Sequence, residues 1–268
     1  MEWIQVIVLA VIQGLTEFLP VSSSAHLILP SQLLGWQDQG LAFDVGVHVG
    51  TIVAVVAYFR HDVLNMLVAF FQSLTGKRSD DGRLAWLIIA ATIPALVFGL
   101  MLNDMIDLYG RSILVIAGTT LIFGALLWIA DRRENAQKPI TDLTLKSGLA
   151  IGFAQALALI PGTSRSGVTM TAALMMGFSR DASARFSFFL SIPIILAAGS
   201  YKGLELVSSD LIVRWDMVIS GIIISGLVAI ACIHVFLIWL ERVGMLPFVI
   251  YRFVLGVVLI AIYATTGQ

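Results

Sequence analysis

Charge is what this chain has least of. Asp, Glu, Lys and Arg make up 12% of its 268 residues, against roughly a quarter in ordinary soluble domains. A water-soluble enzyme is excluded on that ground. The balance of 16 Lys and Arg against 17 Asp and Glu leaves a net charge of −1, so there is no basic surplus to hold nucleic acid through its phosphates. The single cysteine, Cys232, cannot form an intramolecular disulfide and, set in an apolar run, reads as packing. The amino end lacks a positive n-region and a small-residue cleavage pattern, so no cleaved signal peptide is expected.

What is abundant is apolar surface: 59% of residues are hydrophobic and the mean hydropathy is +0.95. At about 20 apolar residues per bilayer crossing, residues 1–268 read as one integral all-α membrane domain with no room for a soluble one. Long apolar runs at approximately 42–59, 84–102, 111–130, 186–201, 216–240 and 247–264 predict six spans. Trp3, Trp36, Trp86, Trp128, Trp215 and Trp239 fall near segment ends, where indole sits at the membrane interface.

Two further apolar stretches are interrupted. Ile4 to Leu19 stops at Pro20-Val21-Ser22-Ser23-Ser24, and Leu149 to Ile160 stops at Pro161-Gly162-Thr163-Ser164-Arg165-Ser166-Gly167. Proline removes a backbone donor, and Ser, Thr and Gly compete with the helix. Irregular backbone at membrane depth requires protein or a water-filled cavity around it, so each break predicts a re-entrant helical hairpin. With the amino end extracytoplasmic, one side holds Arg60, Lys77, Arg78, Arg83, Arg132, Arg133, Lys138, Lys146, Arg180, Arg185 and Arg242, and the other Arg111, Lys202 and Arg214. That asymmetry follows the positive-inside rule. The segment from Gln13 can be laid on that from Gln155 with a one-residue gap. Three spans separate the hairpins, so the copies, approximately 1–131 and 144–268, are opposite in orientation: an inverted repeat with a site at the membrane midplane.

Gln13 and Glu17 share a helical face one turn before Pro20. A carboxylate in such a segment is costly and faces a cavity, a cation or a basic partner. His26 follows Ser22, Ser23 and Ser24 and can act as base, acid or nucleophile. Around Arg165, the glycines Gly162 and Gly167, the hydroxyls of Thr163, Ser164, Ser166 and Thr169, and a helix N-terminus converge on an anion with several oxygens. Arg165 adds a guanidinium fork suited to phosphate; neutralisation of Glu17 is its structural alternative. Asp44 and His48 share a face and suit outer support of a metal, with capping of the span an equal reading for Asp44. His234 and Arg252 lie in apolar segments without a local motif and are expected to make structural hydrogen bonds.

The stretch Gln13-Gly-Leu-Thr-Glu17-Phe-Leu-Pro-Val-Ser-Ser-Ser-Ala-His26, followed in order by Pro161-Gly-Thr-Ser-Arg-Ser-Gly-Val-Thr169, resembles the two motifs of the undecaprenyl-diphosphatase family of the bacitracin-resistance type. The resemblance covers the whole chain. It implies an enzyme of the bacterial inner membrane that hydrolyses undecaprenyl diphosphate to the monophosphate and phosphate, with a divalent cation, Mg2+ or Ca2+, and a site open to the periplasm. On the matching positions, Glu17 and Gln13 would belong to the cation-binding motif and Arg165, Ser164 and Thr169 to the opposing turn. Gln13 stands where some members have Glu, and an amide ligates a cation less strongly and cannot act as a base. The attacking oxygen is left open between Ser23 and a water activated by His26 or Glu17; Ser23 with His26 as proton partner is favoured. Undecaprenyl diphosphate and membrane lipids are the implied partners, a homodimer is a compatible assembly, and nucleic acid is not expected. The rival readings are an inverted-repeat transporter or flippase and a non-catalytic lipid-diphosphate binder.

Overall fold

Apolar sequence in lipid can satisfy its backbone within a helix, and the computed structural model is built of helices. It describes residues 1–109, 112–132, 137–208 and 213–266. Among these, the order is α1 (Trp3–Thr16), α2 (Ser23–Leu33), α3 (Leu41–Tyr58), α4 (Arg60–Leu74), α5 (Asp80–Tyr109), α6 (Ile113–Asp131), α7 (Leu145–Ala156), α8 (Arg165–Met175), α9 (Arg180–Val207), α10 (Trp215–Val243) and α11 (Leu246–Thr266). Short 3-10 turns cover Ile140–Asp142 and Leu157–Leu159. The described residues contain no strand beyond an isolated Lys138–Phe178 bridge.

Six helices are long and apolar enough to cross a membrane: α3, α5 over Asp80–Leu102, α6, α9, α10, and α11 over Leu246–Thr265. Each coincides with an expected span. The largest extension is in α9, where the Ser179 hydroxyl accepts from Ala182 N at 3.1 Å and starts the helix ahead of its apolar run. One helix was not anticipated: α4 occupies a stretch expected to be cytoplasmic loop. Its exposed Leu64, Leu67, Val68 and Phe71 recur at i, i+3, i+4 and i+7, while Met66 and Ala69 are buried and α4 packs on α5.

Between helices in lipid the driving force is close packing rather than burial from water. Gly50 shows this: an added Cβ would collide with Ser225 Oγ and the Ile222 carbonyl, so α3 and α10 meet backbone to backbone. Helix α1 packs on α10 and α7 on α5; α3 packs on both α9 and α10, and α9 also on α5; α6 packs on α11. A chain of aromatic edges links the first break to this core, with Phe18 against Phe188 at 5.4 Å and Phe188 against Phe236 at 5.9 Å between centroids.

Both expected breaks are present. Helices α1, α2, α7 and α8 have 14, 11, 12 and 11 residues, too short for a hydrocarbon core of about 30 Å at about 1.5 Å per residue. Helix α1 packs on α2 and α7 on α8. The residues just before α2 and α8, Ser22 and Ser164, have φ of 76° and 71° and are the only non-glycine residues in the left-handed region among those described. L-residues adopt that region at a cost of about 1–3 kcal/mol.

The basic loops come together at one end. Arg180 Nε donates to Asp131 Oδ1 at 2.6 Å, Arg83 Nη1 to the Leu143 carbonyl at 3.2 Å, Lys138 Nζ to the Met176 carbonyl at 3.0 Å, and Arg185 reaches Asp62. Arg111 and Arg133, which entered the charge comparison, lie outside the described residues.

Candidate functional site

The site grows from the two breaks. At the end of α1 the backbone turns at Glu17, whose side chain is 6% exposed. A buried carboxylate needs partners, and this one has them on both oxygens. Oε1 accepts from Arg165 Nη2 at 2.9 Å, across from the second break. Oε2 accepts from Gln13 Nε2 at 3.1 Å and from Ser23 Oγ at 2.7 Å. His48 Nε2, from α3, stands 3.8 Å from Oε2.

Arg165 opens α8 and is fixed from its far side, where Nη1 donates to the Ser187 carbonyl of α9 at 3.0 Å. Its Nε–H and the second hydrogen of each Nη remain for another acceptor. The turn beneath it is tied internally: Ser164 Oγ caps α8 by accepting from Gly167 N at 3.1 Å, and Thr169 Oγ1 donates to Ser187 Oγ at 2.8 Å. Ser166 Oγ donates to the Leu19 carbonyl at 2.8 Å, a direct bond between the two breaks.

Behind both turns lies Arg252 of α11, fully buried. Its Nη1 donates to the carbonyls of Pro20 at 3.0 Å and Thr163 at 3.1 Å, its Nη2 to Gly162 at 2.9 Å, and its Nε to Thr120 at 3.1 Å. Carbonyls released by the two helix breaks are thus gathered on one guanidinium. The structural hydrogen bond expected of Arg252 is in fact a clamp on both elbows, which no local motif announced. Gly162 sits in that clamp at φ +88°, where a Cβ would collide with Thr119 Oγ1 and the Ile116 carbonyl of α6.

A cavity of about 440 Å³ opens in front of these groups. Glu17, Ser22, Ser23, Ser24, His48, Ser164 and Arg165 line its polar side, with Asp44 further out. Leu27, Ile28, Leu41, Val45, Ile194 and Ile195 line the rest. Asp38 and Lys202 stand at the margin.

The structure therefore brings together Glu17, Ser23 and Arg165, which the sequence placed 148 positions apart at the extremes. It separates others. His26 does not line the cavity; its Nδ1 is 2.6 Å from the Ser22 carbonyl and its Nε2 is 2.5 Å from Tyr251 Oη. The expected Ser23–His26 pair is not formed, because α2 begins at Ser23 and three residues along it turn the imidazole toward α11. Gln13 is fully buried and offers its nitrogen, not its oxygen, to Glu17. Gly162, Thr163, Ser166, Gly167 and Thr169 build the second turn from behind rather than facing the cavity. His48, expected as outer support, is instead beside the carboxylate, held by Nδ1 at 2.7 Å from the Asp44 carbonyl. Asp44 itself accepts from Gln39 Nε2 at 2.9 Å. Ser187 and Gln155 were missed. Ser187 lies in an apolar helix with nothing to mark it, whereas Gln155 carried a signal, as an amide inside an apolar run.

A family model described as Bacitracin resistance protein BacA matches residues 6–258. A protein of Teredinibacter turnerae named Undecaprenyl-diphosphatase is 57% identical over 260 residues, covering 97% of this chain and 98% of the relative. Proteins of the same name from Chromohalobacter salexigens and Saccharophagus degradans are 58% and 55% identical, over 97% and 98% of this chain and 98% of each relative. With the match running through both breaks and into the sixth apolar span, this chain belongs to the bacitracin resistance protein BacA family.

Proposed function

We propose that this chain hydrolyses undecaprenyl diphosphate to undecaprenyl phosphate and phosphate, in the bacterial inner membrane and from a cavity open to the periplasmic face. One observation carries the reading: a serine hydroxyl, a carboxylate that accepts its proton, and an arginine with N–H groups to spare meet at the head of a cavity that is otherwise apolar. A lipid diphosphate has the matching shape, an anionic head on a hydrocarbon tail. The relatives' name favours hydrolysis over the carrier reading.

Ser23 Oγ attacks the terminal phosphorus while its proton passes to Glu17 Oε2, 2.7 Å away. The new Oγ–P bond replaces the anhydride P–O bond, and undecaprenyl phosphate leaves with that electron pair. Water then cleaves the phosphoserine: Glu17 returns the first proton to Ser23 Oγ as the Oγ–P bond breaks, and both protons of the water remain on the released phosphate. Arg165, held between Glu17 and Ser187, presents its remaining N–H groups to the transferred phosphoryl oxygens.

The residues also fit a divalent cation. The Asp44 carbonyl can only accept, so His48 Nδ1 carries a proton, and in the neutral imidazole Nε2 is a lone pair 3.8 Å from Glu17 Oε2. In that form the two are a pair of acceptors. Glu17 would hold Mg2+ or Ca2+ through its carboxylate, with the unpaired Oε1 of Gln13 and His48 Nε2 as the neighbouring candidates. Among the described residues no cluster of three or more His, Cys, Asp or Glu side chains forms, so the remaining ligands would be phosphate oxygens and water, as is common for Mg2+. Such a cation neutralises charge on the phosphoryl oxygens.

The orientation rests on charge. The cavity margin carries Lys202, from the side poor in basic residues, while Arg83, Lys138, Arg180 and Arg185 gather at the other end. The reading of the two breaks as re-entrant hairpins of an inverted repeat is supported by their short helices, the paired left-handed serines and the parallel contacts of α1 with α10 and α7 with α5.

The test is phosphate release from the lipid diphosphate by purified protein, with Mg2+ and with chelator, for wild type and Ser23→Ala. Wild type releases phosphate, chelator suppresses it and Ser23→Ala abolishes it. Well-folded wild type that releases none but exchanges an anion across liposomes would establish the carrier instead.

A further inference from the structure

Gln155 is the one residue of α7 on the cavity wall, which the apolar Ala158, Leu159 and Ala95 of α5 also line. It is 1% exposed, and both its side-chain Nε2 and Oε1 are without a hydrogen-bond partner. Buried amides are nearly always satisfied, because leaving one unpaired forfeits its hydration with no return. An amide left wholly unpaired beside a cavity therefore points to a partner that enters the cavity.

The sequence explains how the vacancy of partners arose. Gln13 is followed four positions later by Glu17, to which its Nε2 donates. Gln155 begins the matching segment, but four positions later stands Leu159. The second break keeps the amide and lacks the carboxylate, so donors that are consumed within the protein at Gln13 remain available at Gln155. The other polar groups on this cavity carry a matching bias: Arg165 keeps N–H groups free, and Ser23 and Glu17 serve the reacting phosphoryl group.

We infer that Gln155 binds the diphosphate head of the lipid substrate, its carboxamide N–H groups donating to a phosphate oxygen. This rests on the phosphatase reading above and adds to it a contact from α7, outside both sequence motifs. An amide suits the position because a second cation beside Arg165 would hold the released phosphate too firmly, whereas a neutral donor discriminates for oxygen without adding charge.

The experiment uses the full chain in lipid nanodiscs and a non-hydrolysable methylene-bridged diphosphonate on a farnesyl tail as the binding probe. Gln155→Met keeps the side chain's length and removes both unpaired atoms. It is expected to melt at or above the wild-type temperature while binding the probe about tenfold or more weakly, the loss typical of one hydrogen bond to a charged group. The KM for hydrolysis rises by the same factor. Gln155→Glu, which replaces the donor by a negative charge, binds more weakly still. Wild-type affinity and KM in Gln155→Met would overturn the proposal, leaving the amide with an ordered water alone; a lowered melting temperature with a proportional loss of activity would overturn it in favour of a packing role. If wild type neither releases phosphate nor binds the probe, the phosphatase reading has failed; if wild type does both and Gln155→Met matches it, only the role of Gln155 has.

Discussion

Replacing Glu17 by Gln removes a charge and leaves the shape unchanged, so its consequences can be worked through atom by atom. The carboxylate accepts from three donors, Arg165 on Oε1 and Gln13 and Ser23 on Oε2. A glutamine NH2 must replace one oxygen and face a donor either way. Placed at Oε2 it meets two donors, so the favoured flip sets it against Arg165 and dissolves an ion pair whose side chains are only 6% and 13% exposed. Leaving one partner of a buried pair uncompensated costs about 3–5 kcal/mol. The lower end is expected, because Arg165 retains the Ser187 carbonyl. The same change removes the acceptor for the Ser23 proton, and loss of a general base reduces rate by roughly 10²–10⁴. Phosphate release should therefore fall by at least about a hundredfold in protein that still folds, with a lowered melting temperature in detergent. Glu17→Asp, which keeps the charge but withdraws it by one methylene, should recover stability more than turnover. A Glu17→Gln protein that turns over within about threefold of wild type would refute the assignment of the base, since a general base contributes far more than that.

Other consequences follow from groups around the cavity. Arg252→Met strands the Pro20, Gly162 and Thr163 carbonyls together, so it should destabilise by several kcal/mol, at about 1–3 for each unpaired acceptor, with Arg252→Lys intermediate; unchanged melting of Arg252→Met would remove the clamp. His26→Ala frees the Ser22 carbonyl just before Ser23, and a nucleophile displaced by about 1 Å loses on the order of a hundredfold; the drop should appear in kcat rather than KM, with Tyr251→Phe milder because it leaves the Nδ1 contact intact. Gly162→Ala should fail to accumulate as folded protein, since its Cβ would overlap Thr119 and Ile116 at a left-handed φ; normal thermal stability of this variant would contradict the packing described.

Much of the architecture is legible in the residues taken in order. Apolar run length fixes the six spans, because a backbone in hydrocarbon has few ways to satisfy itself. Pro20 and Pro161 with their Ser-rich followers fix where helices must stop. Glu17 and Arg165 stand out because charge in such segments is too costly to keep without purpose. Helix α4 was not legible as structure, since its mixed composition reads equally as a loop until it packs on α5.

Which of those polar residues touch is another matter, and only the tertiary fold decided it. Spacing along a helix says that two side chains share a face, not what the face meets. By sequence His26 is the favoured partner of Ser23 and His48 an outer support, yet the direction in which α2 leaves Ser23 sends the first imidazole to Tyr251, and the packing of α3 brings the second to Glu17. Arg252 clamps two turns that lie 89 and 232 positions away from it, a relation with no trace in local pattern. Gln155 is unpaired for the same reason that Gln13 is paired: a hydrogen bond depends on where its partner ends up in space, and the chain alone records only which partners exist.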